Sequence, residues 1–448
     1  MAISADSAIL SLLKVYYREG VENLLFRNSP VLKKIKKTRV EGREQSFAAM
    51  YGTGGAVSGN FQTAKAAAAA VSRSVEFKTV PGQLFSVYSV NAKEVVASAS
   101  NAGAYMKVAG VKMFAASEAL RKTMALALYG SGYGEVSKVK AATVTANTEF
   151  DMELPAYALM SVDVGTKLDI KASVITGTVK GTLEVTAVKT NSVSVKSPVG
   201  FTIAADDWAC LAGSVDAAGN PLLPVGLAGW LPNVADRTGA DWTAYINKPF
   251  FGVNRSVAAE RLAGGFVLQG AGESITAVVQ KAIQKARRQG SQADMIVMND
   301  EDFLTMTATL ETSNTFFTAT ATKEKKKGAI GFDEVSASFS TNYVENIIDD
   351  PYCPKGTIYV LDSEAVELFS YTNVDKLDDG VAGNNPGKED IMDADGHATD
   401  PAQLLIDDYL TVSPGADSVN GPSILVTMNI FGSFAVTNPS VCVVAKLV

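Results

Sequence analysis

The feature that most constrains this chain is the stretch VSGNFQTAKAAAAAVSRSVEF, from Val57 to Phe77. It follows a cluster of glycines (Gly52, Gly54, Gly55, Gly59), contains the alanine run Ala66 to Ala70, and offers few bulky side chains to bury. The segments on either side, RVEGREQSFAAMY and VEFKTVPGQLFSVYSV, are rich in strand formers. The pattern predicts a long hairpin whose tip has little to bury within its own chain. Each flank is about a dozen residues, or roughly 40 Å if extended at ~3.3 Å per residue. A compact chain of this size has a radius of gyration near ~22 Å. The expectation is an arm that does not fold back entirely onto its own core and must lie on something else.

Upstream, residues 6 to 27 read as a helix that Asn28-Ser29-Pro30 breaks. VLKKIKKTR then places Lys33, Lys34, Lys36, Lys37 and Arg39 close together. This basic patch, like Lys323, Lys325, Lys326 and Lys327, faces either nucleic acid, an acidic partner or plain solvent. No recognition motif accompanies it, so any DNA contact would be to backbone charge. Downstream of the hairpin, Ala92 to Leu128 reads as a long helix, with Gly103 a point of interruption and Gly130 its stop. Val108, Val111, Ala115, Ala119 and Leu126 mark its apolar stripe. From Gly103 onward it would run about 39 Å at 1.5 Å per residue.

The character then changes. TKLDIKASVITGTVKGTLEVTAVKTNSVSVKS alternates apolar and polar residues, and residues 140 to about 230 read as a β-barrel or sandwich closed by WACLAG and GLAGWLPN. After Pro249 the pattern is α/β. ESITAVVQKAIQKARRQG is an amphipathic helix with Ser274 as its start and Gly290 as its end. The strand DMIVMN leads, through Asn299 or Asp300 as cap, into the helix DEDFLTMTATLE. GTIYVLDSEAVELFSY is expected to repeat that strand-then-helix order with Asp362 or Ser363 as cap. Val374 to Leu410 holds ten acidic and two basic residues and reads as a solvated loop. PSILVTMNIFGSFAV and SVCVVAKLV supply the last strands.

At 448 residues the chain is too long for one compact core and suggests two to four structural units. Apolar residues at 47% and charged residues at 19% fit a folded protein. No apolar run approaches the ~20 residues of a membrane span. The N-terminal stretch lacks a basic n-region, so the expectation is a protein that stays in the cytosol, with no membrane partner. Cys210, Cys353 and Cys442 fit no metal spacing and are expected to be reduced and buried. The net charge of −7 excludes a wholly basic nucleic-acid binder.

Catalytic patterns fail one by one. His397 is the only histidine, which removes His-based triads and two-His metal sites. Around it, Asp390, Asp393, Asp395 and His397 miss the calcium-loop register, because Ile391 sits where a ligand belongs. GNNPGKE has the wrong spacing for a phosphate loop, and neither GTGGAVSG nor GSGYGE fits the dinucleotide fingerprint. No enzyme, cofactor or metal is expected.

The order of parts is more informative than any single motif. Arm, strand-flanked loop, long helix, inserted β-domain, α/β domain and C-terminal strands follow one another in a way that resembles the major capsid proteins of tailed bacteriophages, the Hong Kong 97-type fold. NSPVLKKIKKTRVEG before the loop, ALALYGSGYG at the helix end, GLAGWLP leaving the insertion, FFGVNRSVAAERLAGG and DDPYCPKGTIYVLD carry the likeness. The resemblance implies an α+β fold with an N-terminal arm at 1–39, an extended loop at 40–91 and a spine helix with peripheral domain at 92–139. An inserted β-domain at 140–232 and an axial domain with returning peripheral strands at 233–448 complete it.

The resemblance further implies a structural protein that self-assembles through hexamers and pentamers into an icosahedral head around double-stranded DNA, made in the host cytoplasm and ending in the virion. Implied partners are a portal protein, a separate scaffold and a decoration protein, since no segment resembles an internal scaffold. The hairpin's partner would then be the neighbouring subunit, a heterologous contact that closes into rings or shells. Candidate interface residues are Gly54, Gly55, Phe61, Lys65, Ala68, Val71, Phe77 and Lys78. Some family members cross-link a loop lysine to a neighbour's asparagine, and Lys65 and Lys78 lie in the corresponding region. Two other readings stay open: an encapsulin-like nanocompartment shell, and a β-rich surface adhesin suggested by residues 160–200.

Overall fold

The computed structural model describes residues 30–39, 44–52, 58–67, 73–91, 119–120, 122–175, 177–216, 219–312, 335–339, 342–370, 410–417 and 421–448. The expected helix at 6–27, most of the long helix, Gly54, Gly55, Ala68, Val71, the lysines at 323–327 and the acidic stretch with His397 lie outside them. Among the described residues the fold is mixed α+β, with one five-stranded sheet, two six-stranded sheets and two ribbons.

A short helix, Pro30–Lys34, leads into β1 (Lys36–Arg39). The hairpin is β2 (Gln45–Gly52) against β3 (Arg73–Thr79), antiparallel with Phe47 opposite Phe77. Alternation sorts its side chains into two faces. Phe47, Ala49, Tyr51, Val75 and Phe77 pack on the main core, whereas Ser46, Ala48, Met50, Ser74, Glu76 and Lys78 are exposed. The inward face of the hairpin is therefore seated on its own body, and only the outward face is left exposed. The paired strands are also shorter than predicted. Pro81 has no N–H to continue the ladder, so the flank splits, and β4 (Gly82–Asn91) leaves to pair with a C-terminal strand. Towards the tip, Asn60 starts a helix at Phe61–Ala67 by accepting from the Gln62 N–H at 2.9 Å.

The β-rich region has its own core. Its strands are β5 (Glu135–Val139), β6 (Ala142–Val144), β7 (Glu149–Glu153), β8 (Lys167–Lys171), β9 (Val179–Val188), β10 (Ser192–Lys196), β11 (Phe201–Ile203) and β12 (Asp207–Leu211). They form an antiparallel sheet in the order β5-β12-β8-β9-β10-β7, with β6 and β11 as a separate ribbon. The end strands β5 and β7 share no ladder, so this is an open sheet and not a closed barrel. Leu168, Ile170, Leu183, Val185, Val193 and Val195 are buried between them. The first strand begins at Glu135, ahead of the expected boundary at 140. Val225, Leu227, Trp230 and Leu231 belong to the main core and not to this unit, because LLPVGLAGWLP has no period of two to fit a sheet.

Strands β13 (Gly265–Leu268), β14 (Met295–Met298), β15 (Val335–Phe339), β16 (Asn342–Asp349) and β17 (Thr357–Leu361), with the last strand β21 (Val443–Lys446), make a mixed sheet in the order β13-β21-β17-β14-β16-β15. The helix Ile275–Arg288 lays Val278, Val279, Ala282, Ile283 and Ala286 on one face, against Ile296, Met298, Ile358 and Val360. The alternate residues Met295, Val297, Tyr359, Leu361 and Val444 enter the main core on the other face. Burial on both sides explains why MIVM and TIYVL are continuously apolar. The helix starts as predicted, with Ser274 Oγ accepting from the Ala277 N–H at 3.3 Å.

After β17 the expectation of a helix fails. Asp362 does accept from the Glu364 N–H at 3.2 Å, but it caps only the single turn Ser363–Ala365. The chain then extends as β18 (Val366–Ser370), since Val366 and Leu368 alternate into the core and the strand finds ladders on both sides. One neighbour is β1, parallel; the other is β20 (Gly421–Val436), antiparallel. β20 also carries β19 (Leu410–Asp417) and β4, which makes it the spine of the five-stranded sheet.

Candidate functional site at the hairpin base

Four of the motifs singled out in the sequence meet where the hairpin joins the body. GLAGWLP provides Trp230, which is fully buried at the end of the turn Leu227–Trp230. Gly226 starts that turn close to the helix before it: a Cβ there would lie 2.0 Å from the Ala127 carbonyl oxygen. The Gly226 N–H donates to the Gly130 carbonyl at 3.0 Å, so the turn is bonded directly to the helix end in ALALYGSGYG. Trp230 Nε1 donates to the Phe434 carbonyl of β20 at 2.8 Å, which fixes the indole on the central strand.

Around that indole the hairpin and FFGVNRS close an aromatic socket. Phe77 meets the Trp230 ring edge-on at 5.1 Å, and Phe47 lies 5.8 Å from it and stacks on Phe77 at 5.5 Å. From the other side, Phe250 stands edge-on at 4.9 Å and Phe251 lies at 5.5 Å. Such pairs each contribute about 0.5–1.5 kcal/mol beyond their buried area.

Phe251 occupies its place only through a tight turn. Phe250 and Val253 exchange N–H···O bonds of 2.9 and 3.0 Å, with Phe251 at φ 48° and Gly252 at φ 83°. Positive φ is ordinary for glycine and costly for a bulky residue, so the surrounding packing has to hold it. The Phe251 carbonyl thereby accepts from the Lys78 N–H at 3.1 Å. Within the hairpin Thr79 Oγ1 donates to the Gln45 carbonyl at 2.7 Å, and from the body Arg261 Nη1 donates to the Tyr51 carbonyl at 2.6 Å. The hairpin is thus pinned along its inward face.

Arg255 lies beneath this socket, fully buried. Its Nη1 donates to the Gly229 carbonyl at 2.7 Å and its Nη2 to the Tyr245 carbonyl at 3.0 Å, while the guanidinium stands 4.1 Å from the Phe250 ring. Burial lowers the guanidinium to about 9, which leaves it charged at neutral pH. Two further polar groups sit at the same junction. Tyr129 donates to Asp350 Oδ2 at 2.8 Å, joining ALALYGSGYG to DDPYCP, and burial followed by the Asp350 charge pushes the phenol up. Glu135 Oε1 accepts from the Ser131 N–H at 2.5 Å, Oε2 has no partner, and burial raises the carboxyl.

The expected interface residues divide. Phe61 is 76% exposed, and Lys65 and Lys78 are exposed. Phe77 is a correction: it is 0% exposed, because the hairpin's alternation turns it inward onto Trp230. Met50, 68% exposed on the outward face, went unnoticed in the sequence although the same alternation predicts it. In the basic patch Lys34 is exposed, whereas Lys36 pairs with Glu367 at 2.8 Å and is raised by that hydrogen bond. Thr38 Oγ1 donates to the same carboxylate at 3.0 Å. Lys37 and Arg39 share β1 with them, and Lys33 lies in the preceding helix. Sequence reasoning also missed Arg255 and Phe251. The only signal was a glycine set into the apolar run FFGV and an arginine two residues after it.

All three cysteines are free and buried, as expected. Among the described residues no group of His, Cys, Asp and Glu has the arrangement of a metal site, and no helix is long and apolar enough to cross a membrane.

No protein-family model matches the chain, and neither does any curated protein. Its structural neighbours are capsid and shell proteins. The capsid asymmetric unit of cyanophage A-1(L) is similar at TM-score 0.47 and 12% identity, covering 92% of this chain and 90% of that one. A Mycobacterium phage Ogopogo structure is similar at TM-score 0.40 and 9% identity, covering 94% and 92%. A holo encapsulin complex from Synechococcus elongatus gives TM-score 0.37 and 7% identity, covering 94% and 88%.

Proposed function

We propose that this chain is a major capsid protein of a tailed phage, a Hong Kong 97-type subunit that self-assembles into an icosahedral head. The observation that supports this reading most directly is the two-faced hairpin. Its inward face is pinned to the body, while its outward face and tip present Met50, Phe61, Lys65 and Lys78 to whatever lies beyond. From Gln45 to Ser72, Lys65 is the sole charged residue, so the exposed end is nearly neutral and built of small side chains. A surface of that kind favours close backbone approach to another protein over solvation. A contact between this end and a different patch on a second copy is heterologous, and it propagates into rings or closed shells.

Under this reading the subunit works through hexamers and pentamers, with the portal, a separate scaffold and a decoration protein as partners. Packaged double-stranded DNA would be held by backbone charge alone, with Lys33, Lys34, Lys37 and Arg39 as candidate contacts and Lys36 shared with Glu367. The segments 1–39, 40–91, 92–139, 140–232 and 233–448 keep their proposed roles as arm, extended loop, spine, insertion and axial region.

Sedimentation and negative-stain electron microscopy of the chain, expressed with its neighbouring reading frames, test the proposal. Closed megadalton particles containing nuclease-protected DNA are expected. Particles holding a protein cargo in place of DNA would favour the nanocompartment reading, and a protein that stays monomeric under those conditions would overturn both.

A further inference from the structure

The geometry points to Arg255 as the positioning residue of the hairpin, setting its angle on the body by fixing the socket of Trp230, Phe250 and Phe251. The inference rests on the hairpin being the assembly arm, but its physical basis is local. The contacts of Phe47 and Phe77 with the rings tolerate rotation and sliding, so they hold the hairpin at one angle only if the rings themselves are fixed. Something must fix the rings. Trp230 is fixed at its far edge by the Phe434 carbonyl, and its backbone end is held by Arg255 through the adjacent Gly229 carbonyl. Phe250 lies under the guanidinium, and Phe251 is carried one residue further, in its strained turn.

The choice of arginine follows from the donor geometry. Two amino groups of one rigid fork reach the Gly229 and Tyr245 carbonyls, which belong to the turn Leu227–Trp230 and to the helix Ala240–Asn247. A lysine ammonium on its flexible stem would satisfy one carbonyl well and the other poorly. A neutral residue would leave the buried Gly229 carbonyl and the part-buried Tyr245 carbonyl without that donor. No carboxylate competes for the guanidinium among the described residues, so its bonding is directed wholly at backbone and ring. The charge itself is costly to bury. A group of that kind at the root of an exposed arm is better explained by the orientation it imposes than by stability it adds. The φ of Phe251 points the same way: relaxation of that turn would withdraw the carbonyl that holds Lys78 at the hairpin base.

The test is a distance measurement on the full chain. The native cysteines are all buried, so nitroxides attached at Glu76→Cys on the outward hairpin face and at Thr305→Cys on the helix Asp300–Thr312 report the arm against the body. Pulsed electron paramagnetic resonance should give one narrow distance with Arg255 present, and a shifted or broadened one in Arg255→Lys and Arg255→Met. Tryptic cleavage at Lys65, Arg73 or Lys78 should also accelerate by about tenfold, as local opening becomes easier. An unchanged distance in Arg255→Lys, with only a lower melting temperature, would make Arg255 a structural residue and overturn the inference. If Arg255→Met does not fold, Arg255→Lys alone decides. Particle formation by the otherwise unmodified chain is scored separately, so a shell-forming protein with an indifferent Arg255 is told apart from a well-positioned arm on a protein that forms no shell.

Discussion

Two phenylalanines in one hairpin have opposite assignments, and that contrast is measurable. Phe77 is fully buried on Trp230, so Phe77→Ala should destabilise the subunit by about 3–5 kcal/mol in chemical denaturation. Phe61 is 76% exposed, so Phe61→Ala should leave the folding free energy within about 0.5 kcal/mol. Its effect should fall on assembly, seen as a higher protein concentration needed for particles. Equal losses of stability in the two variants would show that the assignment of faces is wrong. Glu135 gives a pH-dependent prediction. Burial raises its carboxyl in the folded state, so its contribution is fully present below the unfolded carboxylate range and is lost as pH rises through the folded value. Glu135→Gln, which keeps an acceptor for the Ser131 N–H, should therefore raise the melting temperature at pH 8 and have little effect at pH 4. A gain of equal size at both pH values would remove the role of ionisation.

At the level of elements, the hairpin divides at Tyr51. Up to that residue β2 is held by Phe47, by the Gln45 carbonyl bond and by Arg261; beyond it the chain leads to the exposed tip. Replacing residues 53–72 with a short glycine-rich turn should preserve the β2–β3 ladder and cooperative unfolding while abolishing particles. Normal particles from that variant would place the assembly contacts elsewhere. The β-rich unit behaves differently, since its strands from β5 to β12 enclose a cluster of their own. Much of this organisation was legible in the sequence. Alternation at TKLDIKASV and LEVTAVK marks strands with one buried side, and Ser274 with Gly290 delimits a helix. The segment after Asp362 was not legible, because a local cap signal is the same whether one turn or a whole helix follows it. Only the ladders from β1 and β20 decide for a strand there.

For the whole molecule, the described residues give a body with one large shared core and a hairpin whose outward face carries exposed side chains. The main core draws on the helix Pro30–Lys34, the hairpin, the helical residues just before Gly130, one face of the mixed sheet and β20. Sequence-distant motifs converge on it, so shell formation and subunit folding should be separable by mutation only at positions facing outward. The sedimentation experiment applies at this scale: megadalton particles from the intact chain, set against folded monomers from the tip-replaced one, are the expected pair of outcomes. By itself the sequence determined the periodic elements and the acidic and basic segments. These follow from local spacing and from side-chain chemistry. The tertiary structure alone decided which hairpin face is buried, that Phe77 belongs to the body, that Arg255 holds two carbonyls, and that Lys36 answers Glu367. Each of those depends on partners tens to hundreds of residues away, and no local pattern encodes the distance between them.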